Sequence, residues 1–316
     1  MITRRLLRIK ILQNIYSYNF SEGKTIEQTE KELFFSINKF YDLYHQMLNF
    51  IVEVKKYAEY RIDLASKKKA PTQEDLHPNK KFVENRVIRQ LEHNDSLGRY
   101  LRAKKIGWSN QKDFIKKFYN QFITSELYKE YMSSEKDSYE LDQKFITQVY
   151  SQLLPEFDLL FQQLEEQSIY WNDEIELVIS LIIKTIQSFD EQEEGGKDLY
   201  PLYRKEEDRE FAKELLRKTI RDFSEYDELI EEHSKNWDLE RIAFMDILIM
   251  KMAITEMIEF RSIPTKVTLD EYIEIAKFYS TEKSNVFING VLDKIIAHLR
   301  KENKIQKLGR GLIGEN

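Results

Sequence analysis

Apolar side chains recur every three to four residues over most of this chain, the spacing of one buried face of an α-helix. Residues 4–20 predict a helix with two apolar stripes: Leu7, Ile11, Ile15 and Tyr18 on one side, Ile9, Leu12, Tyr16 and Phe20 on another. A helix apolar on two sides lies inside one core, or between a core and a partner. The pattern at 26–64 predicts one long helix, carried by Leu33, Ile37, Phe40, Tyr44, Met47, Leu48 and Ile51. Lysines 67–69, Pro71 and Pro78 mark a loop after it. Residues 81–190 predict further helices, broken near Gly107, near Ser133 and Ser134, and before Pro155. The stretch 190–198 reads as an acidic, glycine-containing linker.

Residues 205–231 predict an amphipathic helix buried through Phe211, Leu215, Leu216, Ile220 and Phe223, with a break near Ser224. Residues 239–260 form the most apolar stretch of the chain and predict a central core helix, roughly 33 Å long at the standard rise. Thr268 and Glu271 have the spacing of a capping box, which predicts that they open the next helix. Ser284 is the predicted cap of the last helix, about residues 285–302.

That last helix carries a core stripe of Ile288, Val291, Leu292, Ile295 and Leu299. Phe287, Gly290, Lys294, His298 and Lys301 fall on a different face, about 110–120° away. An aromatic ring beside a basic strip suits single-stranded RNA, whose bases stack on rings while lysines neutralise phosphates. The alternative is that Phe287 fills a neighbouring cleft and the lysines are merely solvated. Arg4, Arg5 and Arg8 form a second cationic group, with Arg4 and Arg8 one turn apart. Cations at a helix start oppose the helix dipole, and a phosphate ligand relieves that conflict.

Composition narrows the class. Nine glycines and five prolines in 316 residues leave few turns, so the chain reads as all-α. The lack of cysteine excludes a disulfide scaffold and a thiolate metal site. The net charge of −6 argues against a wholly basic nucleic-acid binder, yet both ends are locally basic. No apolar run reaches the length of about 18 residues that a membrane helix needs, and no signal-peptide pattern opens the chain. These features predict a cytoplasmic protein without membrane contact. No metalloprotease, phosphate-loop, serine-hydrolase or dinucleotide motif is present, and the five histidines lack ligand spacing. The chain therefore reads as a non-enzyme with no cofactor and no metal.

Four segments together resemble the NusB family: RRLLRIKILQNIY at 4–16, WDLERIAFMDILIMKMAITE at 237–256, IPTKVTLDEYIEIAK at 263–277 and SNVFINGVLDK at 284–294. The resemblance implies an all-α, NusB-like helical bundle with a large helical insertion. It places the bundle at 1–62 and 200–303, the insertion at 63–199 and a basic flexible tail at 304–316. It also implies an RNA-binding transcription antitermination factor of ribosomal-RNA operons. Such a factor binds boxA-like RNA with the ribosomal protein NusE, within an RNA polymerase antitermination complex. Matched by motif, Arg4, Arg5, Arg8, Lys283, Phe287, Asn289, Lys294 and Lys301 become the RNA-binding set. Tyr16, Glu240 and Arg241 become the partner-binding set. Lys283 stands where the best-known relatives carry an acid. Two other classes remain open: a helical protein–protein adaptor without RNA binding, and a ribosomal-RNA methyltransferase, which the lack of a dinucleotide-type segment disfavours.

Overall fold

The computed structural model describes residues 1–234 and 242–314, and among them every regular element is helical. They form two compact units. One comprises Met1 and Asn38–Leu202; the other comprises Ile2–Ile37 and the chain from Tyr203 onward. Helix α1 spans Arg4–Asn19, and α2 spans Ile26–Ser66, shared between the units.

The first unit adds α3 (Gln73–Leu76), α4 (Arg86–Glu92), α5 (Asp95–Lys104), α6 (Lys112–Phe122), α7 (Glu126–Ser133), α8 (Tyr139–Gln148), α9 (Leu159–Gln167) and α10 (Ile175–Gln187). Short polar residues start many of them: Asn85, Asn94, Ser125 and Ser138 each accept a backbone N–H of the first turn. The core is aromatic. Phe50 packs on Trp108, Phe114 and Phe118, with ring centroids 4.8–5.9 Å apart. Buried aromatic donors need acceptors. The Trp108 and Trp171 indoles donate to the Gln46 and Lys39 carbonyls, and the Tyr150 hydroxyl to the Met47 carbonyl. All three carbonyls belong to α2, so α2 is the spine of this unit.

The stretch 190–198 is not a free linker. Gln90 donates to the carbonyls of Asp190 and Glu193, and Asn94 to those of Gly195 and Lys197. Two buried amides thus satisfy four loop carbonyls and fix the segment against α4 and α5.

The second unit adds α11 (Glu206–Arg221), α12 (Phe223–Ser234), α13 (Phe244–Glu259), α14 (Thr265–Tyr279) and α15 (Ser284–Lys301). The break predicted near Ser224 falls between α11 and α12. Helix α11 begins with Glu206, Glu207 and Asp208 and ends with Lys218 and Arg221, so its charges match its dipole. Helix α13 is central, packed on α1, α11, α12, α14 and α15. Its apolar residues from Leu248 to Met257 are nearly all fully buried.

Four polar side chains on α13 are also buried, and each joins a different neighbour. Asp246 accepts from Ser280 and, at 2.9 Å, from Ser284. Lys251 pairs with Asp227 of α12 at 2.7 Å and lies over the Phe223 ring. Thr255 meets Thr219 of α11. Glu256 binds Arg8 of α1 and two hydroxyls of α14. A buried polar group without a partner is costly, so these contacts select one arrangement of helices around α13.

Two predicted caps have other roles. Helix α14 starts earlier, at Thr265, and Thr268 sits inside it with its hydroxyl donated to Glu256. Ser284 is the first residue of α15, accepts from the Thr281 N–H and donates to Asp246. Both hydroxyls are drawn away by buried carboxylates of α13, which local spacing does not reveal. The predicted flexible tail is folded back. Its Lys307 ammonium donates to the Phe260 carbonyl at 3.1 Å, and the Leu308 N–H donates to the Arg261 carbonyl at 2.9 Å.

Candidate nucleic-acid interface

The candidate surface lies on the second unit, on α1, α14 and α15; α1 is bonded to α14, and α15 packs on α14. Helix α1 begins at a Thr3 cap, whose hydroxyl accepts from the Leu6 N–H. Its core face of Leu7, Ile11 and Ile15 fixes the direction of the three arginines. The three then diverge in role.

Arg8 is 3% exposed and forms a two-bond pair with Glu256, at 2.8 and 2.7 Å. Thr268 and Tyr272 complete the carboxylate with bonds of 2.9 and 3.2 Å. Burial opposes the guanidinium charge, and Glu256 more than offsets it, so the pKa of Arg8 rises further above its ordinary value. Arg8 is thus an internal cation that holds α1 to α13 and α14. Burial leaves it no face for a phosphate.

Arg5 is half-exposed and makes a two-bond pair with Glu271 of α14, at 2.9 and 2.8 Å. The bond from Arg5 holds the Glu271 carboxyl below its usual range, and Arg8, 3.5 Å away, adds to this. Arg4 pairs with Asp208 of α11 at 2.9 Å, and its guanidinium lies 5.0 Å over the Phe211 ring. The Arg5–Glu271 pair faces solvent, and such pairs contribute only about 0–1 kcal/mol, so a phosphate can displace Glu271 at little cost. Asp208 is buried, so the Arg4 pair is exposed only on its guanidinium side.

Phe287 is 7% exposed and belongs to the packed interior of the bundle. The wheel separates it from the stripe of Ile288, Val291 and Leu292, but the neighbouring helices cover that second face near the start of α15. The cover ends farther along: Lys294 and Lys301 are exposed, and His298 is partly so, 3.2 Å from Glu302. Lys283 is exposed just before α15. Asn289 is partly exposed and donates to Asp293 at 3.2 Å.

Sequence reasoning missed the ring that is open to solvent. Phe278, in the last turn of α14, is 81% exposed. It lies on the same helical face as Glu271 and Glu274, roughly 10 Å along α14 from the Arg5 pair. Val286, on the first turn of α15, is 65% exposed. The signal was present: Phe278 falls off the stripe of Tyr272, Ile275 and Ala276 that α14 buries.

A separate aromatic patch occupies the far end of α1. Tyr16, Phe20 and Phe244 are all exposed, with centroids 4.7–6.1 Å apart. Tyr16 thus joins two rings that the sequence did not connect to it. Glu240 and Arg241, predicted to act with Tyr16, lie outside the described residues, as does Trp237. No group of three or more metal-ligating side chains occurs among the described residues, and none of their helices is long and apolar enough to cross a membrane.

Comparison with known proteins places these helices. The model of the NusB family matches residues 173–297. A protein of Salinibacter ruber named Transcription antitermination protein NusB is 48% identical over 106 residues, 34% of this chain and 66% of that protein. A protein of the same name from Chloroherpeton thalassium is 38% identical over 105 residues, 33% of this chain and 50% of the relative. A third, from Desulfatibacillum aliphaticivorans, is 41% identical over 98 residues, 31% of this chain and 68% of the relative. This chain thus spans between half and about two-thirds of the length of these relatives. No solved structure matches it. The matched stretch covers α10–α14 and most of α15, with α13 and its buried polar partners on α11, α12 and α14 included, and on that ground the chain belongs to the NusB family.

Proposed function

We propose that this chain is an RNA-binding transcription antitermination factor that acts on ribosomal-RNA operons. In this reading it binds boxA-like RNA together with the ribosomal protein NusE, and joins an RNA polymerase antitermination complex in the cytoplasm. The observation that carries the proposal is the identity with relatives named for transcription antitermination, together with a family match that spans α14 and most of α15.

The geometry supports a division of labour. Arg5 exchanges Glu271 for a phosphate, and Arg4 offers a phosphate the exposed side of its guanidinium while it keeps Asp208. Phe278 offers a ring for a base, and Lys283, Asn289, Lys294 and Lys301 line α15 beyond it. Arg8 and Phe287 position α1 and α15 without meeting RNA. The patch of Tyr16, Phe20 and Phe244, beside Glu240 and Arg241 in sequence, receives NusE. No catalytic step belongs to this role.

The test is fluorescence anisotropy with labelled boxA-like RNA and a scrambled control, each with and without NusE. The proposal expects tighter binding to boxA-like RNA and further tightening with NusE. Equal affinity for both RNAs and no effect of NusE refute it. One observation favours the adaptor reading instead: each α1 arginine already has a carboxylate partner. An Arg4→Ala/Arg5→Ala variant that keeps full RNA affinity supports that alternative.

A further inference from the structure

The tail beyond α15 lies past the end of the family match, and the structure gives it a defined path. Asn303 adopts φ of 56°, the left-handed conformation that ends a helix. The Lys304 N–H then donates to the Leu299 carbonyl at 2.9 Å, and the Asn303 N–H to the Arg300 carbonyl at 3.0 Å. This is the paired bonding of a Schellman motif, and it turns the chain away from the helix axis.

The tail then closes on the connection between α13 and α14. Lys307 holds the Phe260 carbonyl and the Leu308 N–H holds the Arg261 carbonyl. Gly311 is buried so closely that a Cβ there lies 1.9 Å from the Arg261 oxygen. Gly309, at φ of 56°, opens the short turn that brings Gly311 in.

A series of contacts joins this place to the start of α1. Phe260 packs edge-on against Phe211 at 5.0 Å, and the Arg4 guanidinium lies 5.0 Å over the same Phe211 ring. Arg261, Lys266 and Arg310 are exposed, and none forms an ion pair among the described residues. They contrast with Arg4 and Arg5, each of which already holds a carboxylate.

We infer that the docked tail extends the RNA surface: Arg310, held beside Arg261 by the turn around Gly311, forms a second phosphate-binding segment continuous with Arg4. The inference rests on the RNA-binding function proposed above. Its ligand is the sugar–phosphate backbone flanking the recognised sequence, so its contribution is electrostatic and independent of base identity. Arginine suits this task because its planar guanidinium binds a phosphate through two parallel bonds.

The experiment titrates full-length protein with labelled boxA-like RNA by anisotropy across a series of salt concentrations. Each phosphate contact to a single strand contributes about 0.7 to the slope of log affinity against log salt. Arg261→Ala/Arg310→Ala is expected to make that slope shallower by about 1.4 while the preference over scrambled RNA persists. Gly311→Ala leaves the charge unchanged but displaces the tail. It is expected to weaken binding several-fold and to remove hydrogen-exchange protection at the Leu308 amide. Wild-type slope and affinity in the double variant overturn the inference and leave the RNA-binding proposal standing. So does a Gly311→Ala protein that has lost Leu308 protection but binds as wild type. A wild-type protein that fails to bind RNA overturns both.

Discussion

Replacing Arg8 by methionine keeps an unbranched apolar stem and removes the countercharge of Glu256. In the wild type, Glu256 is fully buried and accepts two bonds from Arg8, one from Thr268 and one from Tyr272. The variant leaves a buried carboxylate with two neutral hydroxyls. Breaking one half of a buried pair costs about 3–5 kcal/mol. Because α13 packs against five helices, the cost falls on the whole second unit. Hydrogen exchange followed by mass spectrometry reads it directly. Protection of peptides from α13 and α14 is expected to fall by about 10²–10⁴-fold, at tenfold per 1.4 kcal/mol. Arg8→Met/Glu256→Met should be less damaged than the sum of its single variants, although the Tyr272 hydroxyl then lacks its acceptor. At a temperature where Arg8→Met is folded, its RNA-binding salt slope should match wild type, whereas Arg5→Ala should flatten it. A loss of protection under about fivefold, near 1 kcal/mol, refutes the structural role. So does a salt slope that drops as it does in Arg5→Ala.

Four further outcomes follow from the structure. Phe287→Ala should lower thermal stability by about 3–5 kcal/mol as a core cavity. Phe278→Ala should leave stability within about 0.5 kcal/mol but cost about 1–3 kcal/mol in RNA affinity, and the reverse pattern in melting and anisotropy contradicts the assignment. Phe20→Ser should melt as wild type yet bind NusE more weakly in calorimetry, with unchanged NusE affinity counting against the aromatic patch. His45 of the first unit is buried against Tyr100, and burial pushes its pKa down from 6.5 to about 4. The unfolded chain takes up this proton below about 6.5 and the folded chain only near 4, so stability is full above that window and is lost as pH falls through it. The loss reaches about 3 kcal/mol. Urea melts followed by tryptophan fluorescence, to which Trp108 and Trp171 of this unit contribute, should show a shallower acid dependence in His45→Phe. Parallel pH profiles for the two proteins refute the assignment.

Local periodicity determined a large part of this molecule. The 3–4 spacing placed α1, α2, α11, α12 and α15 close to their observed bounds, because a helix core stripe is written within a single segment. It identified α13 as the central helix for the same reason, since a segment apolar on all sides must be surrounded. Motif spacing reached the family, because the residues that carry it lie close together in sequence.

What the sequence left open depends on contacts between distant residues. Arg4, Arg5 and Arg8 look equivalent along the chain, but Asp208, Glu271 and Glu256 divide them into one part-buried pair, one solvent-facing pair and one fully buried pair. A helical wheel gives the direction of Phe287 but not the neighbour that covers it, and it leaves Phe278 unremarked although no neighbour covers that ring. The sequence read 190–198 as a linker and the end of the chain as a flexible tail. Buried amides fix the first against α4 and α5, and a glycine seated on a carbonyl fixes the tail around Gly311. The sequence by itself determined which segments are helices and which face of each is apolar, because both are encoded within a few turns. The tertiary structure alone decided which charges and rings remain available to a ligand, because availability depends on the partner that distant residues bring.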